Sequence, residues 1–259
     1  MASETRLSDT TYDRIAQWYD VDMARNMRFD DAAFYADLCQ REGGRVLELG
    51  CGNGRVLLEL VCRNIDAVGV DTSRKMLQQL EHKAKARGLA PRACRMDARR
   101  LAFARSFDIV LCPYSLVTYM AQPNDLERMM SEVRQVLRPD GLLVLDAFIP
   151  RDTVASGDYR LDYRRPFGGE VLARYKRVAP LTARINRIER RYEVVSTTGE
   201  VLEALETIED IRIFSPDELT EALLRSGFSQ QQVWWDYGQA SRDTAPQFFT
   251  VAARQTADA

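Results

Sequence analysis

The residues best equipped for chemistry are three carboxylates tied to short apolar runs. Glu48 lies inside Val46-Leu47-Glu48-Leu49, Asp71 closes Ala67-Val68-Gly69-Val70, and Asp97 follows Arg95-Met96. Gly50, Gly52 and Gly54 come at alternate positions directly after the first run. A turn of that kind needs glycine, because a Cβ would block it and hold a ligand off the backbone amides. A carboxylate has two acceptor oxygens and no donor when ionised, so each of these can take more than one hydrogen bond. Strand, glycine turn and helix together open a nucleotide-binding crossover unit. The dinucleotide form of that turn wants a further glycine where Arg55 stands.

Other reactive side chains are few. The single histidine, His82, sits among Glu81, Lys83 and Lys85 on a charged helix face, so it is read as solvated surface. Cys39, Cys51, Cys62, Cys94 and Cys112 lack the paired spacing that metals use, and are read as reduced thiols of a cytoplasmic protein. Neither a disulfide framework nor a metal site is expected.

The order of these pieces carries a resemblance. ELGCGNG, VGVD, MDA and FDIVLCPYS, in that order, resemble the four motifs of the class I S-adenosylmethionine-dependent methyltransferases that act on small molecules. The likeness covers residues 12–149 well and 214–253 more loosely. It implies an α/β fold, a Rossmann-like seven-stranded and mostly parallel sheet with helices on both faces. It also implies roles. Gly50, Cys51 and Gly52 would lie under the methionine part of the cofactor, with Glu48 near its amino group. Asp71 would accept both ribose hydroxyls, with Thr72 beside it and Met76 packed on the adenosine. Asp97 and Ala98 would meet the adenine, and Cys112 would border the cofactor from the fourth motif. The product would be S-adenosylhomocysteine.

The acceptor side is implied by two further stretches. YDRIAQWYD resembles an N-terminal signature in which a helix roofs the cofactor, so Tyr12 and Tyr19 are expected to face the pocket, and Trp18 the core. In amino-group methyltransferases of nucleic acids the fourth motif reads Asp or Asn, Pro, Pro, Tyr or Phe. Here Pro113-Tyr114 match, but Leu111 and Cys112 replace the first two positions, which argues against a nucleic-acid base. Tyr114 and Tyr119 are left as candidates to line an acceptor pocket.

The elements that must hold these residues follow from periodicity. Tyr12, Ile15, Ala16 and Tyr19 share one helical face, and Asp30 starts a second helix ending at Gly43-Gly44. Ser73 caps a helix with Met76, Leu77, Leu80 and Ala84 on one side, stopped by Gly88. Phe107 to Leu111 reads as a strand. A helix from Asn124 meets the turn Pro139-Asp140-Gly141, then a strand from Leu142 to Phe148. From about 150 the texture changes. Residues 171–178, 182–195 and 201–213 read as three antiparallel strands, an insertion placed as a lid. A capping box at Ser215-Pro216-Asp217-Glu218 then starts a last helix, and a hairpin through Val233-Trp234-Trp235 and Phe248-Phe249-Thr250-Val251 closes the sheet. The expected organisation is a helical cap and cofactor core over 1–149, the lid over 150–213, and a return to the sheet over 214–259.

Charge refines the lid. Residues 160–191 hold ten Lys or Arg against three Asp or Glu, while 200–210 hold five acidic residues and no basic one. One reading is a basic lid for an acidic substrate. The other, favoured, is cross-strand pairing of Arg184, Arg187 and Arg190 with Glu203, Glu206 and Glu209.

The chain has 259 residues, 46% of them hydrophobic, with a net charge of −2. That balance gives no general affinity for nucleic acid. No apolar run approaches a membrane span, and MASETRLSD has no leader pattern. The expected function is methyl transfer from S-adenosylmethionine to a small-molecule acceptor, an amine nitrogen, by a monomer or homodimer. The alternatives are transfer to a hydroxyl with Asp146 as base, a dinucleotide-dependent oxidoreductase, and a non-catalytic module that only binds S-adenosylmethionine.

Overall fold

The computed structural model describes residues 11–150, 156–245 and 247–256, and the N-terminal stretch read for a leader lies outside them. The chain enters through a roof of two short helices, α1 (Thr11–Ile15) and α2 (Tyr19–Asn26), joined by one 3-10 turn, Ala16–Trp18. The single helix expected there is thus divided. Helix α3 (Asp31–Glu42) starts where the Asp30 side chain accepts from the Ala33 amide at 3.0 Å. Strands and helices then alternate: β1 (Val46–Leu49), α4 (Leu57–Cys62), β2 (Ala67–Asp71), α5 (Arg74–Ala86), β3 (Arg92–Arg95), β4 (Phe107–Cys112), α6 (Asp125–Val136) and β5 (Leu137–Phe148). A second group follows, β6 (Arg160–Phe167), β7 (Glu170–Pro180), β8 (Ile185–Val195) and β9 (Val201–Arg212). Helix α7 (Pro216–Arg225), β10 (Phe228–Trp235) and β11 (Phe248–Gln255) complete the chain.

The main sheet has the order β10-β11-β5-β4-β1-β2-β3, with β1 to β5 parallel and β11 antiparallel to β5. From β1 the chain steps outward to β2 and β3, then returns to β4 on the other side. Open sheets bind ligands outside their carboxyl ends at such a switch point. Both faces of the central strands are buried, which accounts for their unbroken apolar runs. Leu47, Leu49 and Val110 pack toward Met129, Met130, Leu219 and Leu223, and Val46, Ile109 and Leu111 toward Tyr35, Leu38, Leu57 and Leu60.

Two expectations need correction. The insertion has four strands, β6-β7-β8-β9, instead of three. Strand β6 is an edge rich in charge that carries Pro166, features an edge tolerates and a central strand does not. In addition, Pro139-Asp140-Gly141 forms a bulge inside the span of β5. Asp140 takes φ +58, and the register with β4 jumps from Phe107↔Leu137 to Ile109↔Leu142.

The lid is fastened to the roof by an apolar cluster of Ile15, Trp18, Tyr163, Leu172, Tyr192 and Val194. Trp18 is fully buried and stacks on Tyr192 at 5.3 Å, the core role expected of it. Below them Asp22 accepts from the Tyr163 and Tyr192 hydroxyls and pairs with Arg174 at 2.9 Å.

Beneath the fourth motif lies Asp146, completely buried. Its carboxylate accepts from the Tyr35 hydroxyl at 2.6 Å, the Tyr237 hydroxyl at 2.9 Å, and the amides of Tyr114 and Ser115. Tyr114 and Ser115 have φ of +54 and +56, left-handed values that cost a non-glycine residue energy. The carboxylate holds that strained loop in place. Asp146→Asn presents a donor where donors already converge, and should lower stability by about 1–3 kcal/mol in denaturant unfolding. An Asn variant as stable as the parent would contradict this anchoring role.

Candidate active site

The carboxyl ends of β1, β2 and β4 open onto a cavity of about 270 Å³. Its walls contain Glu48, Gly50, Cys51, Asp71, Thr72, Met76, Asp97 and Ala98, together with Tyr12, Tyr19 and Tyr114. Residues from four separate motifs and the roof therefore meet at one place. Two expected members stand back from it. Cys112 is fully buried in the core behind the wall, because its strand is covered on both faces and its side chain points into the apolar layer. Gly52 lies under Asp71 and donates its amide to Asp71 Oδ2 at 2.8 Å. At φ +53 it needs to be glycine, and a Cβ there would come within 3.2 Å of Met76.

Asp71 is fixed from a second direction by the Ser73 amide at 2.7 Å. Burial raises its proton affinity, and these amides work against that rise. Each carboxylate oxygen keeps acceptor capacity toward the cavity. Asp97 is held differently. Burial raises its pKa, but bonds from Arg99 outweigh this and leave it below the usual carboxylate range. The Arg99 guanidinium meets both of its oxygens, at 2.7 and 3.0 Å, and also reaches Asp125 at 3.0 Å.

The far wall is the most strained electrostatically. Glu48 is 2% exposed, and burial pushes its pKa up to about 8 against the opposing pull of Arg55. One oxygen, Oε2, has no hydrogen-bond partner. Arg55 is committed to an ion pair with Asp31, whose Oδ2 is likewise unpaired, and lies 5.5 Å from the Tyr114 ring centre. A buried carboxylate with an orphan oxygen on a cavity wall suits a ligand cation, such as the ammonium of a methionine moiety. Arg55 and Asp31 were missed as site residues. The available signal was a cation directly after the glycine turn.

A larger cavity of about 440 Å³ lies between the roof, the loop after β4 and the lid. Tyr12, Tyr19, Tyr114, Tyr119 and Glu209 line both cavities and form the seam between them. The Tyr12 and Tyr119 hydroxyls are 2.6 Å apart, and the Tyr12 and Tyr19 rings meet edge-on at 6.0 Å. Burial holds the phenols of Tyr12, Tyr19 and Tyr119 above their ordinary range. Asp146 lines neither cavity, so the base suggested for a hydroxyl acceptor is walled off behind the loop it supports. Burial pushes its pKa up to about 6.

Of the expected lid pairs one is present, Arg190 with Glu209. Arg187 meets Asp210 at 2.8 and 2.9 Å directly across the ladder, and Arg190 pairs with Glu209 on the diagonal. Arg184 instead reaches Glu218 of α7. His82 is exposed and lines neither cavity. Among the described residues no cluster of His, Cys, Asp and Glu could hold a metal, and no helix is long and apolar enough to cross a membrane.

Comparison with known proteins agrees with this geometry. The methyltransferase domain family matches residues 46–141. YqeM of Bacillus subtilis (strain 168) is 24% identical over 91% of this chain and 92% of its own. A solved S-adenosylmethionine-dependent methyltransferase from Clostridium acetobutylicum ATCC 824 superposes with a TM-score of 0.78, at 18% identity, over 96% of this chain and 100% of that one. The sugar N-methyltransferase KedS8 from Streptoalloteichus sp ATCC 53650 does so with a TM-score of 0.71, at 24% identity, over 99% and 98%. The four motifs, the sheet order and the methyltransferase domain matched over residues 46–141 together support a class I S-adenosylmethionine-dependent methyltransferase. The chain is an enzyme of that class, and the oxidoreductase and binding-only alternatives fall away.

Glu48 gives this assignment a pH signature. Its folded-state pKa is raised, so its contribution to stability is lost as pH rises through about 8, unless a bound cation favours the ionised form. Binding of S-adenosylhomocysteine at pH 6.5 should therefore release about one proton, measured by calorimetry in buffers of different ionisation enthalpy. Glu48→Gln should release none. Zero release by the parent would contradict a cationic group at Glu48.

Proposed function

We propose that the chain transfers the methyl group of S-adenosylmethionine to a neutral amine nitrogen of a small molecule bound in the larger cavity. The observation that carries this reading is the make-up of the seam: four tyrosines and one carboxylate already paired with an arginine. A hydroxyl acceptor needs a base tuned toward neutrality. Tyr12, Tyr19 and Tyr119 are held away from neutrality by burial, and Asp146 is out of reach. A neutral amine brings its own lone pair and asks for no base.

S-adenosylmethionine, when bound, supplies a methyl group on a sulfonium leaving group. The rest is left to the residues. In this reading Glu48 receives the ammonium of the methionine part, Asp71 the ribose hydroxyls, and Met76, Asp97 and Ala98 the adenine end. The tyrosines of the seam align the acceptor and keep water out, converting an encounter into a fixed approach. The sugar N-methyltransferase that shares this architecture supports nitrogen as the acceptor atom. The acceptor-side departure at Leu111 and Cys112 favours a small molecule over a nucleic acid.

Two measurements test the reading. Asp71→Ala should weaken cofactor binding by roughly 1–3 kcal/mol in calorimetry, from lost hydrogen bonds to a charged acceptor; unchanged affinity would remove Asp71 from the cofactor site. Incubation with ¹³C-methyl-labelled cofactor and a panel of primary amines beside their hydroxyl isosteres should yield N-methyl carbon resonances. O-methyl resonances as the main product would overturn the amine reading.

A further inference from the structure

We infer that Glu209 is the residue that receives the acceptor nitrogen and stabilises the positive charge that builds on it, an inference that rests on the amine reading above. Five acidic residues crowd positions 200–210, and all but one have other fates. Glu200, Glu203 and Glu206 are exposed, and Asp210 is bound by Arg187 outside both cavities. Glu209 alone of the run lines both cavities, and its side chain is 9% exposed. Apart from it, the seam shared by the two cavities is entirely phenolic.

The surroundings suit that task. Arg190 of β8 pairs with Glu209 and orients the carboxylate. Lys176 of β7 stands across β8, opposite Arg190. Tyr12 of α1 and Tyr119 of the turn after β4 face Glu209 from the other side, their hydroxyls bonded to each other. The carboxylate therefore sits between the roof, the fourth motif and the lid, where the reacting atoms must meet.

The step balances without a base. The nitrogen lone pair forms the N–C bond as the C–S bond breaks, and the electron pair of that bond stays on sulfur as a neutral thioether. The proton count on nitrogen is unchanged, so the product leaves as the methylated ammonium. A carboxylate accepting an N–H from the amine turns its lone pair toward the methyl group. The same carboxylate is aimed at the charge that appears only as the bond forms, which is the condition for lowering the barrier.

The test uses sinefungin, the cofactor analogue with a primary amine where the methylsulfonium stands, so it needs no knowledge of the acceptor. Glu209→Gln should weaken sinefungin about tenfold or more while leaving S-adenosylhomocysteine within about twofold, since only the first places a cation at the seam. Glu209→Asp should recover part of the loss. Equal weakening of both ligands, or of neither, would overturn the inference, and a thermal melt with S-adenosylhomocysteine bound identifies a variant that has not folded. The outcome separates from the amine reading: O-methylated products with a sinefungin effect would sink the amine reading and the nitrogen's place at Glu209 with it, leaving Glu209 only as a cation site at the seam. N-methylated products without the effect would sink only the role of Glu209.

Discussion

The site depends on one buried carboxylate that performs no chemistry in it. Asp146 gathers four donors from three parts of the chain: Tyr35 of α3, Tyr237 before β11, and the amides of Tyr114 and Ser115. Two consecutive residues with positive φ turn the backbone sharply at the end of β4. Each such conformation costs of order 1–3 kcal/mol and persists only where surrounding contacts determine it. Charge-assisted bonds to the carboxylate are of the right size to hold it. That turn brings Tyr114 and Tyr119 under the roof, and without it the two cavities would not share a wall.

Around this anchor the site divides its electrostatics by position. At one end of the smaller cavity Glu48 is ready for a cation, with Arg55 and Asp31 neutralising each other behind it. At the other end Asp97 is clamped by Arg99 and held ionised. Three phenols of the seam between the cavities, those of Tyr12, Tyr19 and Tyr119, are kept neutral by burial. Neutral hydroxyls can orient an acceptor without competing for its proton. The lid completes the enclosure, through Trp18 stacked on Tyr192 and the Asp22 cluster beneath.

What was legible in the sequence was local. The glycine turn, the strand-end acids Asp71 and Asp97, and the roof tyrosines are each encoded within a few residues of an apolar run, and all but Gly52 and Gly54 reach the cavity wall. The parallel core was legible because strands buried on both faces leave unbroken apolar runs. Strand β6 was not, since an edge strand can carry charge and Pro166. Asp146 was legible as a strand-end acid but not as an anchor, because its partners lie 31 to 111 residues away. Glu209 was hidden for the same reason. Its place at the seam depends on the register of β8 with β9, and a run of evenly spaced acids does not set a register. Cys112 was misjudged because motif membership says nothing about which face of β4 a side chain takes.

The central claim is that the reacting atoms meet at the wall shared by the two cavities. A crystal structure with S-adenosylhomocysteine tests it most directly. The account predicts the sulfur at the seam, in contact with Tyr12, Tyr19 or Tyr114, the ammonium within hydrogen-bond distance of Glu48, and the ribose hydroxyls on Asp71. A sulfur turned toward Asp97, or a ligand bound outside the smaller cavity, would contradict it.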